Sequence, residues 1–459
     1  MSQGPELHVT GGAGGLAARY EDMEAMARLT DDVSAELLAL SGWCHQLLVH
    51  DDVLASAVLH PEGVARFEAA LLGALDDSDG LTTVAADIGL RAGKLRASAA
   101  AYRITDEAQA ELLDLTRWFA GAWVGVTFPV SAPLLTTAGL GAVLAGEALD
   151  VDWQRLLTDH PGVIDTIVGA TPGLVSGLAG LPVVADVPAG ARLLGLLYPD
   201  GEARVKSLGV DDSDEPAMTE PPQGFSDLMA GLDYRNRKAH GRDQGQIDVR
   251  IVEKVLPDGT VQRSYIVDIP GTKDWHPVPL QENKHLNDLG TNLHAMAGDP
   301  TAYQQGIAEA LRRAGARPGD PVMLVGHSQG GMVAVRAAND FVRSGEFNVT
   351  HVVTAGSPVG RMEVPDRVRV LSLDNEHDVV PHLDAADNPD APNRTTVTFS
   401  DQEGTIGDNH DIEKAYLPAA GALDSSDDPS VRAYRESAQR FFSGDRVETQ
   451  VYQVTRKHE

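Results

Sequence analysis

The sequence has little cysteine and few basic residues, and each scarcity excludes a class of protein. Its one cysteine, Cys44, cannot form an intramolecular disulfide, so no disulfide framework supports the fold. Acidic residues outnumber basic ones by 67 to 37 among 459 residues, which gives a formal net charge of −30. Because a surface this acidic repels phosphate backbones, we expect no nucleic-acid partner.

Several cofactor and targeting motifs are also missing. The sequence has no phosphate-binding glycine loop ending in Lys-Ser or Lys-Thr, no His-Glu-x-x-His pair and no basic patch with interleaved aromatic residues. We therefore expect no cofactor, neither a nucleotide nor a metal. Residues 1–8 lack the basic and apolar regions of a secretory signal peptide. A cytoplasmic protein and a protein secreted without a signal peptide both fit this pattern, and the choice stays open.

Apolar residues at helical spacing characterise residues 1–117, which we predict to form an all-α hairpin or bundle domain. The longest stripe has apolar side chains three or four residues apart and runs from Leu16 to Leu40. A single helix cannot bury such a stripe alone. These helices must therefore pack on one another or on a helical partner.

Residues 118–210 are rich in Ala, Gly and Leu, and we predict a helical segment that acts as a connector or as a lid over a site. Within it, residues 118–146 carry no charge and are long enough to span a bilayer. Pro129 and Pro133 interrupt this stretch, which favours buried or interfacial helices over a membrane hairpin. Contact with a membrane stays open.

The acidic, proline-containing run at residues 211–222 is predicted to be a linker, and the pattern changes after it. Alternating residues at 247–255 and 261–268 flank the turn residues 257–259 and predict a β-hairpin. Further strand patterns at 321–326, 349–355, 368–373 and 395–399 alternate with helical patterns at 291–298, 302–314, 330–342 and 412–417. This alternation predicts an α/β domain over residues 223–459 with a doubly wound, mainly parallel sheet.

The pentapeptide Gly326-His-Ser328-Gln-Gly330 lies between an apolar strand pattern and an amphipathic helix pattern. A serine on a sharp strand-to-helix turn needs small residues two positions before and after it, and the following helix points its N-terminus at a developing oxyanion. This context is typical of the nucleophile in α/β-hydrolase folds. We therefore predict that Ser328 is a catalytic nucleophile.

A nucleophilic serine needs a histidine base and an acid that orients it, and in this fold both follow the serine along the chain. Asp378 lies just past a predicted strand and is our choice of acid, with Asp374 and Glu376 as open alternatives. His410 lies in a loop after the last predicted strand and is our choice of base. We consider the other histidines that follow the serine less suitable: His351, His377 and His382.

An oxyanion hole requires two backbone N–H donors close to the nucleophile. One donor should be the residue after the serine, Gln329. The other should come from a loop after an early strand, and the sequence Ile269-Pro270-Gly271-Thr272 supplies such a loop. We predict that Thr272 is this second donor.

Taken together, the Pro-Gly-Thr loop, Gly-His-Ser-Gln-Gly-Gly, Ala355-Gly-Ser-Pro358, Asp378-x-Val-Pro381 and His410 resemble lipase-type α/β hydrolases, close to the class 3 lipases. The resemblance covers roughly residues 223–420. It implies an acyl-enzyme mechanism on a small-molecule ester or lipid substrate. Thioesterase, transacylase or amidase chemistry on the same triad is the alternative. One departure is that the family usually has a basic residue before Gly-Thr, where this chain has Pro270.

The N-terminal helices resemble, on fewer residues, the helical-hairpin substrates of actinobacterial type VII secretion. Those proteins carry a Tyr-x-x-x-Asp/Glu signal after their second helix, and Tyr102 and Asp106 have this spacing here. The resemblance implies export without a signal peptide and a non-catalytic binding role as an alternative function. The family's Trp-x-Gly turn is absent, since this chain has Gly42-Trp43.

Overall fold

The computed structural model describes residues 5–97, 99–100, 158, 164–165, 168–170, 172, 176, 184–275, 277–401 and 404–457. The chain divides into two compact units, one of residues 17–112 and one of residues 1–16 with 113–459. Tyr102, Asp106 and the uncharged stretch 118–146 lie outside the described residues. Among the residues that are described, no helix combines the length and the apolar character needed to cross a bilayer.

The smaller unit is helical, as predicted. Its helices are α1 (Leu16–Gln46), α2 (Asp51–Leu59), α3 (Pro61–Asp76) and α4 (81–97). Small polar side chains join α1 to α4, since the Ser34 hydroxyl donates to the Ala85 carbonyl oxygen at 2.7 Å. The apolar stripe of α1 is not the face that packs against α4. Met26 and Leu29 on that stripe are 63% and 66% exposed, because the helices approach through Ala and Ser residues instead.

The larger unit contains a mixed sheet with a parallel centre. Its strands are β1 (Leu7–Gly11), β2 (Glu202–Val210), β3 (Gln246–Val255), β4 (Val261–Ile269), β5 (Pro321–His327), β6 (Asn348–Ala355), β7 (Arg369–Asn375), β8 (Arg394–Phe399) and β9 (Arg446–Lys457). Their order in the sheet is β1-β8-β7-β6-β5-β4-β3-β9-β2. Neighbours from β4 to β8 run parallel, and β1, β3, β9 and β2 pair antiparallel at the two sides.

Helices cover both faces of this sheet. The longer helices described in this unit are α5 (Val187–Gly195), α6 (Phe225–Lys238), α7 (Leu289–Ala297), α8 (Ala302–Arg313), α9 (Gln329–Ser344), α10 (Leu417–Asp424) and α11 (Pro429–Ser437). On β5, Val322 and Leu324 pack into the layer that includes α8 and α9, whereas Met323 and Val325 face the layer that includes α6, α10 and α11. Burial on both faces explains why the central strands read as continuous apolar runs.

The predicted hairpin and the four later strands are confirmed, and so are the predicted helices at 291–298, 302–314 and 330–342. The structure adds β1, β2 and β9, which the sequence did not reveal. β1 and β2 come from outside residues 223–459 and form the two edges of the sheet. The acidic run 211–222 is part of the larger unit and packs within it, since Asp211 pairs with buried Arg235 at 2.8 Å and Met218 is 2% exposed.

Candidate active site

The turn between β5 and α9 holds Ser328 in a strained backbone conformation. Ser328 has φ 57° and ψ −123°, a positive φ that is costly for a residue with a side chain. Close packing requires the two glycines of the pentapeptide. A Cβ at Gly326 would lie 2.2 Å from the Gly330 carbonyl oxygen, and a Cβ at Gly330 would lie 1.9 Å from that of Ile269. The local sequence thus presents Ser328 at the carboxyl end of a central strand.

Asp378 and His410 meet at the same edge of the sheet. His410 Nδ1 lies 2.6 Å from Asp378 Oδ2, and Asp378 is fully buried. Gly356 packs against this pair, because a Cβ there would be 2.8 Å from Asp378 Oδ2 and 3.0 Å from His410 Nδ1. The Ser328 N–H donates to the carbonyl oxygen of Ala355 at 2.9 Å, so the serine backbone adjoins the residue before Gly356. The fold therefore brings these three predicted residues to one place.

Tyr416 supports the same carboxylate and was not identified from the sequence. Its hydroxyl donates to Asp378 Oδ2 at 2.6 Å, the oxygen atom that also contacts His410. Burial raises the pKa of Tyr416 well above 10, so the hydroxyl stays protonated and remains a donor. No local pattern distinguishes this tyrosine from an ordinary core residue, because its partner is 38 positions away.

His327 supports the histidine and was also missed, although it lies inside the pentapeptide. Its ring centroid is 4.3 Å from that of His410, and its Nε2 is 2.8 Å from the His410 carbonyl oxygen. Burial, with the nearby His410, lowers the pKa of His327 well below 6.5, so its ring is neutral at physiological pH. A neutral ring fixes the position of His410 without adding a competing charge.

The alternative acids have other partners. Asp374 Oδ2 accepts a hydrogen bond from the Asn388 amide at 2.9 Å. Burial and the nearby charge of Asp378 raise the pKa of Asp374 to about 7. The Glu376 backbone N–H donates to the Phe399 carbonyl oxygen at 2.9 Å. In the part of the chain that is described, His410 is thus paired with Asp378 and with neither alternative.

The other histidines are engaged elsewhere. His351 Nε2 lies 2.9 Å from the Ser437 hydroxyl, and burial lowers the pKa of His351 to about 4. His377 Nδ1 lies 3.0 Å from the Thr158 carbonyl oxygen. His382 Nδ1 lies 2.8 Å from Asp165 Oδ2. These contacts leave His410 as the histidine beside Asp378.

The predicted oxyanion loop lies directly against the serine. A Cβ at Gly271 would be 2.9 Å from Ser328 Cβ. The Asn287 side-chain amide fixes the loop by donating to the carbonyl oxygens of Pro270 at 3.2 Å and Gly271 at 3.0 Å. Within the described ranges, the backbone N–H groups of Thr272 and Gln329 have no hydrogen-bond partner. Both groups are therefore free to bind an oxyanion.

One side chain links the two candidate donors, and the sequence did not indicate it. The Asn292 amide donates to the Thr272 hydroxyl at 3.0 Å, and Asn292 Oδ1 accepts from the Gln329 side-chain amide at 2.7 Å. Gln329 also donates to the Asp288 carbonyl oxygen at 2.7 Å. Because Asn292 lies on α7, this helix fixes both halves of the candidate oxyanion hole.

An apolar cavity of about 260 Å³ opens beside Ser328. Its walls come from α5, α7, α9 and the segment after Asp378, and they include Leu194, Leu293, Met332 and Val380. The lining is almost wholly hydrophobic apart from Asn292, Ser328 and Gln329. Such a cavity suits a hydrocarbon chain attached to a carbonyl group at the serine.

A cation anchors the other side of the oxyanion loop. The Lys273 ammonium donates to the Asn236 carbonyl oxygen at 2.9 Å and to its side-chain oxygen at 2.8 Å, at the end of α6. Burial lowers the pKa of Lys273 to about 8. No group of three or more His, Cys, Asp or Glu side chains in the described ranges is arranged to hold a metal ion.

Comparisons with known proteins point to one family. The model of the family "Lipase (class 3)" matches residues 278–388. The matched range contains Ser328, Gln329 and Asp378 and ends before His410. No curated protein matches the chain. The family match supports a lipase-type serine hydrolase and implies small-molecule lipid or ester substrates.

Proposed function

We propose that the chain is a carboxylic ester hydrolase with an α/β-hydrolase fold and a catalytic triad of Ser328, His410 and Asp378. The observation that carries this proposal is the 2.6 Å contact between His410 Nδ1 and Asp378 Oδ2 beside the strained Ser328 turn. The backbone N–H groups of Thr272 and Gln329, which have no partner among the described residues, supply the oxyanion hole. We assign the chemistry to the predicted domain at residues 223–459.

The reaction follows from these roles. His410 takes the proton of the Ser328 hydroxyl as its oxygen attacks the ester carbonyl, and the N–H groups of Thr272 and Gln329 bind the oxyanion of the tetrahedral intermediate. His410 then gives its proton to the departing alcohol, which leaves an acyl-enzyme. Water activated by His410 cleaves that ester and releases the acid. Asp378 orients the ring and stabilises its charged form throughout.

The apolar cavity supports an ester of a hydrophobic acid. A cavity of about 150 Å³ accommodates benzene, so the cavity of about 260 Å³ beside Ser328 has room for a chain of several methylene groups. Helix α5 forms part of its wall, and we propose that the part of the predicted segment 118–210 that precedes β2 acts as the lid over the acyl chain. Removal of this lid should change the chain-length preference.

Reaction with a fluorophosphonate probe tests the proposal directly. Intact-mass analysis should find one adduct on the full chain, peptide mapping should place it at Ser328, and Ser328→Ala should abolish it. Matched ester, thioester and amide substrates then separate ester hydrolysis from thioesterase, amidase and transacylase chemistry. A folded protein that neither labels at Ser328 nor turns over any substrate in this panel would contradict the enzymatic proposal.

A non-catalytic binding role is the second candidate, and the exposed stripe on α1 favours it. Met26 and Leu29 lie on the side of the helix that the other described helices leave uncovered. A helical partner could cover such a stripe. This role predicts that Ser328→Ala leaves the biological activity of the protein intact, whereas the esterase proposal predicts its loss.

A further inference from the structure

A second cavity lies at the opposite end of the sheet from Ser328. It has a volume of about 470 Å³ and is bounded by the first residues of β4 and β5, the turn before β5 and the segment before β9. Strand β5 has seven residues, and a strand rises roughly 3.3 Å per residue, so the cavity is roughly 20 Å from the serine. It is therefore separate from the candidate active site.

The charged residues that line this cavity are mainly basic, whereas the chain as a whole has a net negative charge. Acidic residues outnumber basic ones by 67 to 37 in the sequence. Among the residues that line the cavity, one is acidic, Asp320, and four are basic: Lys254, Arg263, Arg317 and Arg440. A local group of cations in a strongly acidic protein requires an explanation, because the surrounding surface repels free anions.

Two of the four cations are already neutralised and two are not. Lys254 pairs with Asp445 at 3.1 Å, and Arg263 pairs with Glu253 at 2.9 Å. Arg317 and Arg440 are exposed, and in the described part of the chain neither forms an ion pair. Two guanidinium groups thus face the cavity with unused hydrogen-bond donors.

Tyr265 adds an unused donor in the same cavity. Its side chain is fully buried, and its hydroxyl has no hydrogen-bond partner within the described ranges. Burial raises the pKa of Tyr265, so the hydroxyl stays protonated. The parallel pairing of β4 with β5 begins only at Tyr265 and Val322, and residues 261–264 therefore have a strand neighbour on the β3 side alone. Buried polar groups are nearly always paired, so this donor is available to an oxygen atom of a ligand.

We propose that this cavity binds the phosphate group of a small molecule, with Arg317 and Arg440 as the charged donors and Tyr265 as the neutral one. Guanidinium groups form short, bidentate hydrogen bonds with phosphate oxygens. The volume lies within the usual range for small-molecule sites, so the organic part of such a ligand has room beside the phosphate.

Calorimetric titration of the full chain with inorganic phosphate and with pyrophosphate tests the site, at an ionic strength held constant with chloride. We expect saturable binding to one site. Arg440→Gln should weaken it about tenfold, which corresponds to about 1.4 kcal/mol, and Tyr265→Phe should weaken it at least about threefold because one hydrogen bond to the anion is lost.

The matched control is Arg432→Gln, which removes an exposed arginine of α11 that does not line the cavity. It changes the net charge by the same amount as Arg440→Gln and should leave the affinity unchanged. Equal losses in the two variants would indicate general charge screening and would overturn the proposal. The absence of saturable binding to the wild-type chain would also overturn it.

The source of the phosphate group is resolved by comparing a soluble phosphomonoester with vesicles that contain phosphatidic acid. Binding of glycerol phosphate without vesicle binding assigns a soluble ligand. Sedimentation with phosphatidic-acid vesicles but not with phosphatidylcholine vesicles, lost in Arg440→Gln, assigns a lipid headgroup. Vesicle binding that persists in Arg440→Gln, without binding of any soluble phosphate, would contradict the site.

Discussion

At the scale of single residues, Asp378 accepts hydrogen bonds at both of its carboxylate oxygens. Its Oδ2 contacts His410 Nδ1 and the Tyr416 hydroxyl, each at 2.6 Å, and its Oδ1 accepts from the Val380 N–H at 2.9 Å. An amide in this place would present the wrong hydrogen-bonding group to the histidine. We expect Asp378→Asn to lower kcat by about a thousandfold or more, measured by steady-state hydrolysis of a short ester.

The two neighbouring acids are the controls for this prediction. Asp374→Asn and Glu376→Gln should keep kcat within a few-fold of the wild-type value, because neither side chain contacts His410 in the described structure. If Asp374→Asn lost activity as fully as Asp378→Asn, the assignment of the triad acid would be wrong.

The Tyr416 hydroxyl supplies a further prediction. Tyr416→Phe removes one donor from a buried carboxylate, and a hydrogen bond to a charged group is worth about 1.5–3 kcal/mol. We expect kcat to fall about tenfold or more with little change in KM, because the residue acts on Asp378 and does not touch the substrate.

Tyr434→Phe is the matched control for the loss of a buried tyrosine hydroxyl. Tyr434 is also buried, and its hydroxyl donates to the Val352 carbonyl oxygen at 2.8 Å, away from Asp378. Both variants should lose stability in urea, Tyr416→Phe the more because its acceptor is charged, but only Tyr416→Phe should lose kcat. Equal kcat values for the two variants would mean that Tyr416 contributes to stability alone and does not position the triad.

The candidate site was predictable where chemistry imposes a local pattern. Ser328 and Gln329 lie in a pentapeptide whose glycines the close packing demands, and the order of serine, acid and histidine along the chain narrowed the search for the other two. Tyr416 and Asn292 were not predictable, since their roles depend on partners brought close by the sheet. Their own sequence contexts resemble those of ordinary core residues.

At the scale of elements, α5 determines the room for the substrate. Ala191 on this helix is 5% exposed and lines the cavity beside Ser328. Ala191→Leu places three further carbon atoms in the cavity, and each displaced methylene is worth about 0.8 kcal/mol of apolar contact. We expect the ratio of activities on decanoate and acetate esters to fall about tenfold, measured on a series of nitrophenyl esters.

Ala189→Leu is the control, because it adds the same atoms to the same helix at a position that does not line the cavity. Its chain-length profile should match that of the wild type. An unchanged profile in Ala191→Leu would show that the acyl chain binds elsewhere.

Elements were predictable from the sequence in proportion to their burial. The central strands and α8 and α9 have buried faces, so their apolar periodicity was clear. β9 was missed because charged and amide side chains interrupt its pattern, including Arg456, which is buried and paired with Asp288 at 2.9 Å. Charged residues that are buried as ion pairs break the hydrophobic alternation by which such a strand could be predicted.

At the scale of the whole molecule, buried acids make stability depend on pH. Burial and the charge of Asp378 raise the pKa of Asp374 to about 7 from the usual 3.8. Between these two pH values the folded state binds a proton that the unfolded state has released, so stability falls as pH rises. Asp374→Asn removes this loss. We expect the variant to be about 4 kcal/mol more stable than the wild type at pH 8, with no gain at pH 4.

Urea unfolding followed by hydrogen exchange of the β7 segment measures this difference at both pH values. A gain of equal size at pH 4 and pH 8 would mean that packing, and not ionisation, separates the two proteins.

A buried ion pair links the two strands of the hairpin, β3 and β4. Arg250 and Asp268 are both fully buried, with Arg250 Nη2 2.6 Å from Asp268 Oδ1. Removing one partner leaves the other charge without compensation, so Arg250→Met should lower the free energy of unfolding by about 3–5 kcal/mol.

Replacing both charges avoids that cost, because hydrophobic residues of similar volume often substitute for a buried pair. The double variant Arg250→Met with Asp268→Leu should therefore regain most of the loss, measured by urea unfolding with hydrogen exchange of the β3 and β4 segments. A double variant as unstable as Arg250→Met would mean that the pair supplies an attraction that packing cannot replace.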